Sequence, residues 1–247
     1  MAKKVHNISS RIEIAQTTAD LKLLLKLAND KSWEVRYAVA TSITLKDLTS
    51  KDDISDENKK IITTIWDILA TDKENEDTRW CVAFLGKPSP ETFDILATDK
   101  SKKVRKGVAS NDSMRSELID MLSKDEDSEV RDEAAQNANI SAEAINKLWD
   151  DEEEEVRITL AWSRKAHPET LSKLVKDKSE EVKCGVAVND NTKIEDIDYL
   201  SKDKSRQVKC KVAANSRVTK AILGRLAEDD DPAVKACAKG ALRVRFK

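Results

Sequence analysis

The stretch KKVRKGVASND, Lys102–Asp112, decides the fold because it returns. SEVRDEAAQNA starts at Ser128, EEVRITLAWSR at Glu154, EEVKCGVAVND at Glu180, RQVKCKVAANS at Arg206 and PAVKACAKGAL at Pro232, each 26 residues after the last. A fixed period of this length marks a stack of supersecondary units. With the valine as anchor, the series reads Val104, Val130, Val156, Val182, Val208 and Val234. One period before Val104 stands Thr78, and an earlier copy is anchored at Val35. The step from 35 to 78 exceeds the period by 17 residues, and the surplus falls in LKDLTSKDDISDENKK. It reads as a polar insertion at about residues 43–60.

The other slots hold the same register. Eight residues before the anchor stand Leu27, Leu96, Leu122, Leu148, Leu174, Leu200 and Leu226; eleven before stand Phe93, Ile119, Ile145, Leu171, Ile197 and Leu223. That i, i+3 spacing is one face of a helix, here called helix A. Three before the anchor, Ser32, Asn75, Ser101, Asp127, Ser179, Ser205 and Asp231 offer a short side-chain oxygen to the open N–H groups of a helix start, with Glu153 the exception. Helix B therefore begins just before each valine. Five past the anchor, Ala40, Ala83, Ala109, Ala135, Ala161, Ala187 and Ala213 keep the slot small, which lets a neighbouring helix approach. Seven past it, Asn111, Asn137, Asn189 and Asn215 suggest left-handed helix ends, a geometry asparagine tolerates. Two helices of about nine residues are marginal alone. Stacked pairs bury a shared apolar seam, with stability a near-neighbour sum. The expected fold is all-α: a right-handed α-solenoid of about eight two-helix repeats, one domain over 1–247. Its N-terminal cap is expected at about 1–20 and a basic tail at about 241–247.

Composition agrees. Charged residues are 36% of the chain, against roughly 25% in an average domain, while Gly totals 5 and Pro 4. Few helix breakers and an apolar share of 39% argue for helices rather than disorder. The opening MAKKVHNISSR lacks the apolar core of a signal peptide, and no run of about 20 apolar residues would span a membrane. Cys81, Cys184, Cys210 and Cys237 form no C-x-x-C; they read as ordinary small helix residues in a reducing, cytoplasmic setting. The net charge of −2 conceals two blocks. Residues 125–157 hold 13 acidic against 3 basic side chains, and residues 201–247 hold 13 basic against 5 acidic ones.

The pattern L-x-x-D-x-x-x-x-V-R-x-x-V-A-x-N, as in LATDKSKKVRKGVASN (Leu96–Asn111), resembles the leucine-rich repeat variant family and HEAT-like repeats over about residues 20–240. The resemblance implies that an aspartate and an arginine pair across the turns of adjacent repeats. The residues that match are Asp30 and Arg36, Asp99 and Arg105, Asp125 and Arg131, Asp151 and Arg157, Asp177 and Lys183, Asp203 and Lys209, and Asp229 and Lys235. Arg79 departs from the pattern, because Lys73 occupies its aspartate slot and Asp72 lies one residue off. The founding type of the variant family carries an N-terminal cysteine cluster for an iron–sulfur centre. This chain has no cysteine before Cys81, so no cofactor is expected.

If the V-[RK]-x-x-x-A core is a registry unit, function falls to the variable slots of helix B. Trp33, Tyr37, Trp80, Phe84 and Trp162 are the candidate partner-binding residues, because exposed aromatics serve as interface anchors. The competing reading is that each fills a gap in the core. His6 sits in the N-terminal tail and His167 reads as a helix cap before Pro168, so neither supports a catalytic triad. No H-E-x-x-H, P-loop or G-x-G-x-x-G is present, and DDEEEEV (Asp150–Val156) lacks the ligand spacing of a calcium loop. No metal site and no enzyme activity are expected. The expected function is a monomeric, non-catalytic scaffold that binds a protein partner through its concave helix surface, the acidic block steering a basic partner. The alternative is a nucleic-acid-binding HEAT-like protein. It would use Lys202, Lys204, Arg206, Lys209, Lys211, Arg217, Lys220, Arg225, Arg243, Arg245 and Lys247. In a DNA-glycosylase-like version, Trp80 and Trp162 would act with Arg79, although the family's motif finds no match residue by residue.

Overall fold

The computed structural model describes residues 7–51 and 53–246. The readings placed on His6 and Lys247 lie outside them. The described residues contain helices and no strand, and they divide into two compact units, residues 1–139 and 140–247.

In the first unit α1 (Ile8–Thr17) precedes four pairs. They are α2 (Leu21–Ala28) with α3 (Trp33–Ala40), α5 (Asp56–Ala70) with α6 (Glu76–Leu85), α7 (Pro90–Leu96) with α8 (Lys102–Ala109), and α9 (Ser116–Leu122) with α10 (Ser128–Gln136). Between the first two pairs lies α4 (Ile43–Ser50). In the second unit α11 (Ala142–Ile145), extended by a 3₁₀ turn at Leu148–Asp150, pairs with α12 (Glu154–Trp162). Then come α13 (Pro168–Leu174) with α14 (Glu180–Val188), α15 (Ile194–Leu200) with α16 (Arg206–Ala214), and α17 (Lys220–Leu226) with α18 (Pro232–Arg245). These eight pairs are the repeats of the α-solenoid fold.

The repeated apolar slots form the core. All the anchor valines, Val35 to Val234, are fully buried, and the leucines eight residues before them and the alanines five after are buried too. Burying one such Val or Leu side chain contributes about 1.5–3 kcal/mol. The helices B stack on one another, α6 on α8, α8 on α10, α12 on α14, α14 on α16 and α16 on α18. The insertion is less polar in fact than in sequence. It folds as α4, buries Leu45 completely, and packs against α1 and α5. There the Trp66 Nε1–H of α5 donates to Thr49 Oγ1 at 3.0 Å.

The asparagines do not adopt left-handed backbone. No described residue has positive φ, and Asn137, Asn189 and Asn215 sit at φ −63°, −68° and −59°. Their side chains explain them. Asn111 Nδ2 donates to the Ala83 carbonyl one repeat earlier at 2.8 Å. Asn137 reaches Ala109 at 2.7 Å, Asn189 reaches Ala161 at 2.9 Å, and Asn215 reaches Ala187 at 2.7 Å. Each Oδ1 also accepts the backbone N–H two residues on, at Ser113, Asn139, Asn191 and Arg217. A helix B thus hands its open C-terminal carbonyls to the next repeat, and leaving such a buried group unmet costs roughly 1–3 kcal/mol.

At the opposite end of helix B the aspartates do comparable work. Asp125 Oδ1 accepts the Asp127 N–H at 2.9 Å, closing the turn between helices A and B, and both its oxygens take the Arg105 guanidinium of the preceding repeat at 2.7 and 2.9 Å. Arg105 Nη1 donates to the carbonyl of its own repeat's Asp99 at 2.8 Å. So the arginine bonds the backbone six residues back and the carboxylate twenty residues on. The same bridge joins Arg36 to Asp72, Arg79 to Asp99 and Arg157 to Asp177. Lys183 to Asp203 and Lys209 to Asp229 follow with one nitrogen each. Asp72, one residue out of register, still fills the aspartate role for Arg36, and its carbonyl accepts Arg79 at 2.7 Å. Arg11 of α1 extends the series to Asp30. Arg131 donates to the Asp125 and Glu126 carbonyls, and Lys235 meets no carboxylate among the described residues.

Burial alone would raise the carboxyl pKa of Asp72 and Asp177. Hydrogen bonds from Arg36 and Arg157, together with backbone N–H donors, outweigh it and hold both below the usual value. A depressed folded-state pKa gives stability that is present above the unfolded value, about 3.9, and is lost as pH falls through the folded one. The Asp72→Asn variant should therefore unfold at lower urea than the parent at pH 6, and the gap should narrow steadily below about pH 4. Urea midpoints measured across that range check it; a gap that stays constant or widens on acidification counts against the bridge.

Candidate functional site

The ladder and the core use one side of helix B, and the other side is free to vary. Its residues stand two and one before and two, three and six after the anchor, linked by helical steps of three and four. In the first unit this face brings together Trp33 and Tyr37 of α3 with Trp80 and Phe84 of α6. Trp33 is 40% and Phe84 42% exposed, while Tyr37 and Trp80 are half-buried. The Trp80 and Phe84 rings stack, with centroids 5.4 Å apart and planes within 9°. Trp162, 43% exposed, belongs to α12 in the second unit.

Two tryptophans share a construction that the sequence did not reveal. A Cβ placed on Gly107 would stand 3.0 Å from Trp80 Cδ1, and one on Gly185 would stand 2.9 Å from Trp162 Cδ1 and Nε1. Gly107 and Gly185 both lie three residues past the anchor of the following helix B. Each ring therefore rests on a bare stretch of its neighbour's backbone. Each also has an ammonium over its face, Lys103 Nζ at 5.3 Å from Trp80 and Lys211 Nζ at 5.4 Å from Trp162. Trp80 and Trp162 are thus partly packing residues and partly surface, which joins the two readings the sequence left open. Beside Trp162 opens a groove of about 600 Å³ lined by Arg164, Val188, Asn189, Asp190 and Asn191.

Charge is arranged around these rings. In the first unit Lys103 pairs with Asp77, Lys102 with Asp127 and Glu129, and Lys106 with Glu129 and Glu133. In the second unit the starts of α12 and α14 present Glu154, Glu155, Glu180 and Glu181, all exposed; among their side chains that of Glu154 accepts a hydrogen bond, from Ser179 Oγ at 2.6 Å. None of the four has a cationic partner among the described residues of the unit. His167 is the exposed N-cap of α13 without a side-chain cap bond. Among the described residues no group of His, Cys, Asp and Glu is placed to hold a metal ion.

Six of the ten described residues of the basic C-terminal set are engaged in ion pairs or carbonyl bonds. Arg206 pairs with Asp231 at 2.6 Å, Lys209 with Asp229 at 2.7 Å, and Lys202 and Arg225 both with Asp198. Arg217 caps the Asp190 and Thr192 carbonyls, and Arg245 those of Asn215 and Ala214. Arg79, the cation of the glycosylase-like reading, is buried. The hydrogen bond to Asp99 raises its pKa further, so it stays charged and engaged.

A HEAT repeat is recognised at residues 21–44, which cover α2 and α3. Among solved structures, a leucine-rich repeat variant with a novel repetitive structural motif is similar over 90% of this chain and 82% of its own, at 23% identity and a TM-score of 0.66. The Escherichia coli protein YibA is similar over 97% of this chain and 89% of its own, at 19% identity and a TM-score of 0.50. A comparison with curated proteins gives no match. At these identities the likeness shows the fold, a HEAT-like helical repeat.

The glycine seat makes a direct prediction. Gly185→Ala gains about 1 kcal/mol of helix propensity but costs roughly 1–3 kcal/mol by crowding Ala161 Cβ at 2.8 Å and the Trp162 ring at 2.9 Å. The variant should be slightly destabilised, and the Trp162 indole N–H signal should move in a ¹⁵N–¹H spectrum while that of buried Trp66 stays. An unmoved Trp162 signal with a net gain in stability would mean the ring does not rest on Gly185.

Proposed function

We propose that the chain is a non-catalytic repeat scaffold that binds a protein partner on the helix B face, with the aromatic group of the first unit as anchor. The observation that carries this reading is the Trp80–Phe84 stack, half in solvent and seated on Gly107. A large ring held in one position loses little conformational freedom on binding, and such rings dominate interface energetics. The HEAT-like fold supports the reading because repeats present a long, rigid surface whose variable slots are free of the core. In the second unit the glutamates at 154, 155, 180 and 181 would attract a basic segment of the partner and raise its association rate. The reading takes the protein as a cytoplasmic monomer, in keeping with its four free thiols. Absence of catalysis is part of the proposal. The buried arginines and Asp72 support it, since the hydrogen-bonding groups of each are engaged in the ladder.

Panning a displayed library of natural linear peptides against the full chain tests this. Peptides enriched by the parent should lose at least about tenfold in affinity on a Trp80→Ala/Phe84→Ala double variant, a loss of about 1.4 kcal/mol or more. They should bind a Met121→Ala variant normally, since exposed Met121 sits on helix A. Equal retention by both variants would remove the aromatic group from the account. Saturable, salt-sensitive binding of labelled DNA or RNA in its place would favour the nucleic-acid alternative.

A further inference from the structure

The cysteines read from sequence as small helix residues fall into two classes in the fold. Cys81 and Cys184 are buried, and burial pushes each thiol up to about 11. Cys210 of α16 and Cys237 of α18 lie on adjacent helices B, with Cys237 exposed, Cys210 half-buried, and their sulfurs 3.0 Å apart in a thiol–thiol contact. The 27-residue step that joins them leads from Cys184 to Lys211 one repeat earlier, so the coincidence occurs at this step alone.

We infer that Cys210 and Cys237 form a reactive dithiol, a site at which low-molecular-weight disulfides such as oxidised glutathione install an intramolecular disulfide between α16 and α18. The sulfurs need to close by only about 1 Å to reach bonding distance, roughly 2.05 Å. Exposed Cys237 is the entry point. Its thiolate attacks one sulfur of the oxidant, forms a mixed disulfide and expels one small thiolate. Cys210 then gives up its proton to solvent, attacks Cys237 Sγ and expels the second small thiolate. Two protein thiols are oxidised and one external disulfide is reduced to two thiols, so atoms and electrons balance. Burial, and then the contact with Cys237, push the Cys210 thiol up to about 12, which makes it a poor first nucleophile and leaves it the resolving role. The product fixes neighbouring helices B and restrains local opening of the repeat formed by α17 and α18. This site is independent of the partner-binding reading.

The test treats the full chain with excess oxidised glutathione at about pH 8, where a thiol of ordinary pKa is partly ionised. An acid quench, intact mass and a non-reducing peptide map follow. The parent should lose the mass of two hydrogens, yield one cross-linked peptide pair containing Cys210 and Cys237, and keep Cys81 and Cys184 free. Its melting temperature should rise by about 3 °C or more and return with reductant. Cys210→Ser should stop at a glutathione adduct on Cys237, and Cys237→Ser should remain largely unmodified. A persistent glutathione adduct on the parent, a different cross-link, or no reaction would each overturn the inference. The serine variants keep the test valid if the cross-link itself disturbs folding, since their adduct pattern is read without it.

Discussion

One carboxylate, repeated, holds the structure in register. Asp125, at the turn from α9 to α10, closes that turn through the N–H two residues on and receives Arg105 of the preceding repeat; Arg105 in turn bonds the carbonyl of its own repeat's Asp99. Three backbone segments are thereby fixed by one ion pair. A buried pair of this kind is weak evidence for net stability, because desolvation consumes most of the Coulombic gain. Its value lies in geometry: a bidentate guanidinium–carboxylate contact accepts few alternative placements, so a slipped repeat would bury an unpaired charge. The apolar slots supply the driving force, and the ladder selects which stacking is allowed.

At the other end of helix B the asparagine series performs the complementary task, passing open carbonyls to the next repeat's side chain. With both ends tied and the Val, Leu and Ala slots spent on the core, the remaining face of helix B carries little structural duty. That division lets Trp33, Phe84 and Trp162 stand partly in solvent at no cost to folding, and lets glycines appear inside α8 and α14, where each seats a ring. A mid-helix glycine costs about 1 kcal/mol against alanine, so two of them under two tryptophans point to positioning of those rings. The Cys210–Cys237 contact lies on the same face.

The fold was legible because the signal repeats: eight anchors, seven leucines and seven alanines overdetermine the period, whatever any single slot does. What escaped the sequence was either non-periodic or dependent on a side chain's reach. Leu45 is one of three apolar residues in LKDLTSKDDISDENKK, a stretch dominated by charge, and only the packing of α4 on α1 and α5 shows why it is there. Asp72 looked out of register because spacing along the chain counts residues, while the turn it closes tolerates one more. Arg11 lacks a repeat pattern around it, although it binds Asp30 as its counterparts bind theirs. The asparagines were placed correctly at helix ends but for the wrong reason, since the side chain and not the backbone is the useful part. The aromatic face was visible as residue types. Its seats at Gly107 and Gly185, and the stacking of Phe84 on Trp80, required coordinates.

A double-mutant cycle on Arg105 and Asp125 tests the central claim most directly, with Arg105→Met, Asp125→Asn and the double variant compared by urea unfolding. If the bridge ties one repeat to the next, the single changes are each strongly destabilising and the pair couples by about 1–3 kcal/mol, the double variant recovering much of the loss. Additive effects, with a coupling near zero, would mean that the two residues sit close without depending on each other and that the ladder does not set the register.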